Sequence, residues 1–274
     1  MGIFSVDPKI CKRDGLCVSE CPRRIIVMKD RDSVPVPRHD ADEQCINCGH
    51  CVTVCPHGAL TLKTMRPDEC PTVKKGWSLN PEQIEKLMQS RRSVRTYKDK
   101  KVERGLISKL IDIARFAPSG SNAQSVRWMV FYEPGEVRRL VKFMIEWMRD
   151  VMEKTPDVGK RLNFHNKVAD LEAGFDSLCW SAPHFIAVYS QEGSPTAAAN
   201  CATALAYMEL AAPSFNLGTC WSGYFLFAAN SWPPLQKHLD LPDGDVCMGA
   251  LMIGYPQFTY QRIPIRNEAQ INWR

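Results

Sequence analysis

The sequence predicts an α+β protein in two parts, a small cysteine-rich N-terminal unit and a larger unit of helices and strands. Three observations carry that expectation. Eight of the twelve cysteines fall within the first 70 of 274 residues. Residues 11–29 and 45–63 repeat each other at an offset of 34 positions. Beyond residue 80, apolar residues recur at helical spacing in several stretches, and short β-branched runs lie between them.

Bulk properties narrow the function. Hydrophobic residues make up 45% of the chain, enough for a substantial core, and 274 residues suit two domains. A net charge of +5 is too weak to argue for nucleic acid, and suits an anionic cofactor or an acidic redox partner equally well. No run of about 18 apolar residues predicts a membrane span. The opening Met-Gly-Ile-Phe-Ser-Val lacks the basic and apolar regions of a signal peptide, and Val6 breaks the myristoylation pattern. A disulfide framework would spread its cysteines rather than bunch them, so a reducing cytoplasm is expected.

The first element is the cysteine repeat. Cys45, Cys48, Cys51 and Cys55 read C-x2-C-x2-C-x3-C-P, the spacing of iron–sulfur ligands in bacterial ferredoxins. Gly49 allows a tight turn between ligands. The earlier copy supplies Cys11, Cys17, Cys21 and Pro22, but Asp14 stands where its second cysteine belongs. Three readings of that corner stay open. Asp14 ligates iron through oxygen, or the corner is empty and the cluster has three irons, or Cys70 supplies the missing thiolate. Oxygen suits iron less well than thiolate here, so this cluster is expected to be the more labile. The simpler reading of Cys70 is a surface or linker thiol. His39, His50 and His57 read as loop residues beside seven cysteines and an aspartate already at ligand spacing. Asp30–Gln44 carries alternating charge and two prolines, an excursion between the halves.

These residues resemble a two-cluster ferredoxin over about the first quarter of the chain. The resemblance implies crossed ligation: Cys11, Cys17 and Cys55 to one cluster, and Cys45, Cys48, Cys51 and Cys21 to the other. It also implies that the strand near Leu60–Leu62 pairs with an N-terminal strand.

Residues 66–80 have two prolines, a glycine and no apolar period, and read as a linker between a domain over 1–65 and one over 81–274. A helix follows over Glu82–Gln89, with Pro81 at its first position. Arg91, Arg92, Ser93 and Arg95 form a basic run able to hold a phosphate through charge-assisted bonds, although such runs are commonly just solvated. A helix over Leu106–Phe116 leads into Ala117-Pro118-Ser119-Gly120-Ser121-Asn122-Ala123-Gln124. Further on come strands at Met129–Tyr132 and Phe185–Tyr189, a long amphipathic helix over Arg138–Lys154, a mixed segment over Lys160–Trp180 and an alanine-rich helix over Asn200–Ala212. Leu217–Gly223 reads as a turn and Leu251–Tyr255 as a last strand, followed by Arg262.

The combination R-R-S-x-R, then A-P-S-x-x-N-x-Q, then G-x-x-W-x-G, then the final strand and arginine, resembles the nitroreductase family over about 81–274. The resemblance implies an α+β fold with a mixed or antiparallel sheet, an intertwined homodimer, and FMN bound at the interface. Arg91, Arg92, Ser93 and Arg262 would hold the ribityl phosphate, with Arg95 a further candidate. Pro118, Ser119, Asn122 and Gln124 would belong to the flavin site, the first three reaching it from the partner subunit. The turn Cys220–Gly223 would bring backbone close to the flavin N5 edge, with Trp221, Ser222 and Gly223 as its cofactor-binding residues. Cys220 reads as a small buried hydrophobe. Residues 138–180 either shape a substrate pocket or form an extra helical cover for the core.

The expectation is an FMN-dependent oxidoreductase that receives electrons through two iron–sulfur clusters and passes them to a small acceptor such as a nitroaromatic, quinone or enone. One cluster would be [4Fe-4S]; the other would be [4Fe-4S] with Asp14 or [3Fe-4S]. The donor would be an external ferredoxin or NAD(P)H. An electron-transfer or redox-sensing module serving another protein is the alternative. A third reading, oxidative flavin chemistry, sits badly beside oxygen-sensitive clusters. The cofactor carries the chemistry, so no catalytic side chain is assigned.

Overall fold

A computed structural model of the chain describes residues 2–74 and 76–274; Lys75, inside the expected linker, lies outside the described residues, as does Met1. The chain divides into two compact units, Met1–Leu79 with Gly120–Ala123, and Asn80–Ser119 with Gln124–Arg274.

The first unit is built twice over. It runs β1 (Phe4–Val6), α1 (Leu16–Ser19), β2 (Ile26–Val27), β3 (Val36–Pro37), α2 (Ala41–Gln44), α3 (His50–Thr53) and β4 (Leu60–Leu62). β1 pairs antiparallel with β4, Phe4 opposite Leu62 and Val6 opposite Leu60, as the ferredoxin resemblance implied. The repeat extends to the backbone. Left-handed φ values occur at Arg13, Gly15 and Arg24, and again 34 positions on at Asn47, Gly49 and Gly58. Each short helix begins on its left-handed glycine, Gly15 or Gly49. Phe4, Ile25, Ile26, Val52, Leu60 and Leu62 are buried between the halves. The excursion at 30–44 is more ordered than its composition suggested, since β3 pairs with β2 and α2 follows.

This unit also runs on past residue 65, where the sequence suggested a linker. Met65 sits against Gly49, where an added Cβ would meet the Met65 sulfur at 2.7 Å, and Pro67 covers Gly58. A 3-10 turn over Pro67–Glu69 ends at Cys70, which packs on the same core.

The second unit follows with α4 (Pro81–Ser90), α5 (Arg104–Ala114), β5 (Arg127–Phe131), α6 (Pro134–Lys154), α7 (Pro156–Arg161), α8 (Phe164–Glu172), β6 (His184–Gln191), α9 (Ala197–Ala211), β7 (Gly218–Trp221), α10 (Gly223–Ser231), α11 (Pro233–Leu239) and β8 (Asp245–Gly254). The four strands form one antiparallel sheet in the order β5-β6-β8-β7. Alternation along β6 sends Phe185 and Ala187 to one face and Ile186 and Val188 to the other. The first face packs on α6, α8, α10 and α11 through residues such as Leu140, Met144, Phe164, Phe225 and Leu235. The second packs on α5 and α9 through Leu110, Cys201, Leu205 and Met208. The sheet is therefore covered on both faces, and β6 and β8 read as nearly continuous apolar runs.

α4 starts from a reciprocal cap, with Asn80 Oδ1 accepting from Gln83 N–H at 2.8 Å and Gln83 Oε1 accepting from Asn80 N–H at 3.0 Å. The expected turn at 217–223 is instead strand β7 running into helix α10. Pairing of Thr219 and Cys220 with Ile253 and Met252 extends the segment, and Gly223 then opens the helix. The expected mixed segment at 160–180 contains α8 and a loop in which Asp176 accepts from the N–H groups of Leu178, Cys179 and Ser181. Among the described residues, no helix is long and apolar enough to cross a membrane.

Candidate functional site

The thiols of the first unit fall into two groups. Cys21, Cys45, Cys48 and Cys51 line one cavity walled by Phe4, Ile25, Ile26, Ile46 and Leu62. This is the crossed set that the ferredoxin resemblance implied. Burial, then the neighbouring Cys48, Cys21 and Cys45, pushes the Cys51 thiol up to about 12. Thiolates gathered against an apolar wall need a counter-charge, and multivalent iron would supply it. Among the described residues no three His, Cys, Asp or Glu converge tightly enough for one metal ion. Lining a shared cavity suits a polynuclear cluster better than a single ion.

In the other half, Cys17 is raised by burial, then by Cys55 and Cys11, which places those three thiols together. Asp14 is exposed, and its Oδ1 accepts from Leu16 N–H at 3.2 Å at the start of α1. Cys70 is not among the groups acting on Cys17; its Sγ donates to the Arg66 carbonyl at 3.4 Å. Backbone N–H groups point at the sulfurs of two expected ligands, Asn47 N–H to Cys45 at 3.4 Å and Ala59 N–H to Cys55 at 3.3 Å.

In the second unit the expected flavin residues are distributed over three cavities. Arg91 and Arg92 line the first, of about 420 Å³, with Lys98, Glu209, Thr219, Tyr255 and Tyr260. Three cations on one wall suit a phosphate. The segment is seated by Val94, whose N–H donates to the Thr219 carbonyl at 2.9 Å and whose side chain occupies the space a Cβ on Gly218 would need. Ser93 forms a β-bridge with Thr219, the residue before Cys220. Arg262 is exposed and lines none of the three cavities; the tail before it turns back so that Tyr260 Oη donates to the Ser93 carbonyl at 3.5 Å.

Arg95 leaves its neighbours and lines a second cavity, of about 290 Å³, with Trp221, Ser222 and Gly223. The first N–H groups of α10 open here without partners inside the helix, and a Cβ on Gly223 would meet no atom within 4 Å. Open space beside a helix N-terminus suits the electron-rich edge of a flavin ring. Cys220 also lines this cavity, and burial raises its thiol, the state of a packed residue rather than a reactive thiolate.

Pro118, Ser119 and Gln124 line a third cavity, of about 210 Å³, with Asn200 and Trp128. Ser119 Oγ accepts from Gln124 N–H at 3.0 Å. Asn122 does not join them. It groups with the first unit, where its Nδ2 donates to the carbonyls of Ile46 at 3.2 Å and Asn47 at 2.9 Å. Ser121, Asn122 and Gln124 all have left-handed φ values without being glycine, a conformation that side chains resist.

The sequence reading missed Glu209. It is buried, accepts from Arg91 Nη1 at 3.0 Å, and accepts from Trp221 Nε1 at 3.2 Å. One carboxylate thus ties a residue of the first cavity to one of the second. The available signal was its isolation, since it is the one charged residue of α9.

A two-faced antiparallel sheet with basic cavities, joined in one chain to twinned cysteine half-motifs, defines a redox protein that works through bound cofactors. The comparisons with known proteins name the class. The nitroreductase family model matches residues 88–255, more than half of the chain, and the 4Fe-4S dicluster domain model matches residues 9–74. The chain belongs to the nitroreductase family and is an oxidoreductase with an N-terminal dicluster ferredoxin domain. Among solved structures it resembles a nitroreductase with bound FMN from Bacteroides fragilis NCTC 9343, at 19% identity and a TM-score of 0.57, over 72% of this chain and all of that one. It also resembles a nitroreductase with bound FMN from Desulfitobacterium hafniense DCB-2, at 20% identity and a TM-score of 0.58, over 72% of this chain and 99% of that one. A BluB-like flavoprotein from Clostridium difficile 630 matches at 18% identity and a TM-score of 0.56, over 70% of this chain and 96% of that one. At these identities the likeness establishes the fold alone.

Proposed function

We propose that this chain is an FMN-dependent reductase of a small organic acceptor, supplied with electrons through its own iron–sulfur clusters. The observation that carries the proposal is the pairing of two sites in one chain: the cavity of Cys21, Cys45, Cys48 and Cys51, and the linked basic cavities of the second unit. Arg91, Arg92 and Lys98 would hold the phosphate. Trp221, Ser222, Gly223 and Arg95 would orient the ring, and Glu209 would fix the distance between those two duties. FMN held there would supply one-electron acceptance and two-electron delivery, which a cluster alone does not. Pro118, Ser119 and Gln124 would complete the site, in keeping with a homodimer of intertwined subunits.

The first set of thiols would hold a [4Fe-4S] cluster. The second, with Cys11, Cys17 and Cys55, would hold a more labile cluster closed by Asp14 or lacking one iron. An open cavity beside the Trp221–Gly223 segment favours a small acceptor over a sealed module that serves another protein.

The test is compositional. Protein purified without oxygen should carry one FMN per chain and iron in excess of four per chain. Cys48→Ser should lose the iron of one cluster and keep its FMN. Loss of FMN together with iron in that variant would contradict two separately built sites.

A further inference from the structure

The second cavity has a wall that the cofactor reading leaves unused. Besides Arg95 and residues 220–227, it is lined by Lys167 of α8 and by Ser177, Leu178 and Trp180 of the loop that follows. Three features of that wall point to an anion. Lys167 Nζ lies 5.9 Å from the centre of the Trp180 ring and the Arg95 guanidinium carbon lies 6.0 Å from it, so one indole holds two cations on the same cavity. Neither cation has a carboxylate partner among the described residues, whose ion pairs all involve other cations. The carboxylate nearest in sequence to this loop, Asp176, is spent on three backbone N–H groups.

The third feature is Ser177. It is 5% exposed, and its Oγ has no hydrogen-bond partner among the described residues. A buried hydroxyl left unpaired costs stability and is rarely kept without reason. A ligand oxygen in the cavity would satisfy it. Trp180 and Ser181 are both held at left-handed φ values, so the loop carries backbone strain while presenting this wall. Trp180, Tyr224 and Phe227 line the same cavity, and this aromatic surface suits a flat ring.

We infer that Lys167, Ser177 and Trp180 form a substrate subsite for the carboxylate, or an equally compact anion, of an aromatic acceptor. This rests on the flavin reading of the adjoining Trp221–Gly223 segment. It gives the 160–180 segment a role in specificity, because α8 and its loop supply the anion's partners. Lys167 and Ser177 are positioning residues for substrate and take no part in holding FMN.

The test compares 4-nitrobenzoate with its methyl ester, which keeps the ring and removes the charge. Binding to the holoprotein is read from perturbation of the flavin absorption band. The acid should bind about ten-fold more tightly than the ester, and raised salt should narrow the gap. Lys167→Met and Ser177→Ala should each erode that preference, leave affinity for the ester unchanged and leave FMN content unchanged. Equal binding of acid and ester by the unaltered protein would overturn the inference. So would a preference that survives in both variants, or loss of FMN from Lys167→Met, which would assign the lysine to the cofactor. Failure of the flavin reading would look different: the unaltered protein would contain no FMN. The same titration would then be read from quenching of tryptophan fluorescence, with the same outcomes deciding the subsite.

Discussion

Glu209 holds two arms of the site with one side chain, accepting from Arg91 on one oxygen and from Trp221 on the other. Removing its charge while keeping its shape tests that link. Glu209→Gln should cost about 1–3 kcal/mol of stability, because a buried charge-assisted bond becomes a neutral one and Arg91 loses its counter-charge. Chemical denaturation reads the loss, and the same variant should bind FMN more weakly if the carboxylate positions both arms. His184 makes a second residue-scale prediction. Its Nε2 accepts from Val102 N–H at 2.8 Å, which places the ring proton on Nδ1, 2.6 Å from the Tyr132 carbonyl. Burial lowers its pKa from the ordinary 6.5. The folded state then binds fewer protons than the unfolded state, so stability is complete above about pH 6.5 and falls as pH drops toward the lowered value. Replacing His184 with Gln should flatten that part of the pH profile in thermal unfolding.

At the scale of elements, α6 and α8 contribute differently within residues 138–180. α6 lays Val137, Leu140, Val141, Met144 and Met148 on one face of the sheet, so it is core cover. Leu140 is fully buried, and Leu140→Ala should cost about 2–5 kcal/mol while FMN per folded chain stays the same, as denaturation and absorbance would show. α8 packs on the same face through Phe164 and Val168, while its Lys167 and the loop after it line a cavity. The sequence left those two duties as alternatives for the whole of 138–180, and the periodicity of α6 could be read because it is local. The same holds for the cysteines, whose spacing carries their chemistry. What spacing could not carry is the parting of Arg91 from Arg95. That depends on Val94 seating against Gly218 and Thr219, a pairing between segments remote in sequence. The strand at 218–221 was read as a turn for a similar reason: its glycine speaks of a bend locally, while pairing with β8 extends it. Asn122 matched a flavin motif by position, yet its amide is spent on the Ile46 and Asn47 carbonyls.

For the whole molecule, one chain joins a twinned ferredoxin to a nitroreductase-family fold, and both parts were legible because each is announced by its own motifs. The route by which electrons reach the flavin has a direct measurement. An anaerobic stopped-flow trace would follow the flavin band of the holoprotein after mixing with reduced ferredoxin or, separately, with NADPH. Reduced ferredoxin should bleach the flavin fast and NADPH little, and Cys48→Ser should lose the ferredoxin-driven phase. Fast bleaching by NADPH alone, unchanged in Cys48→Ser, would contradict supply through the clusters, since the flavin would then take its electrons without them.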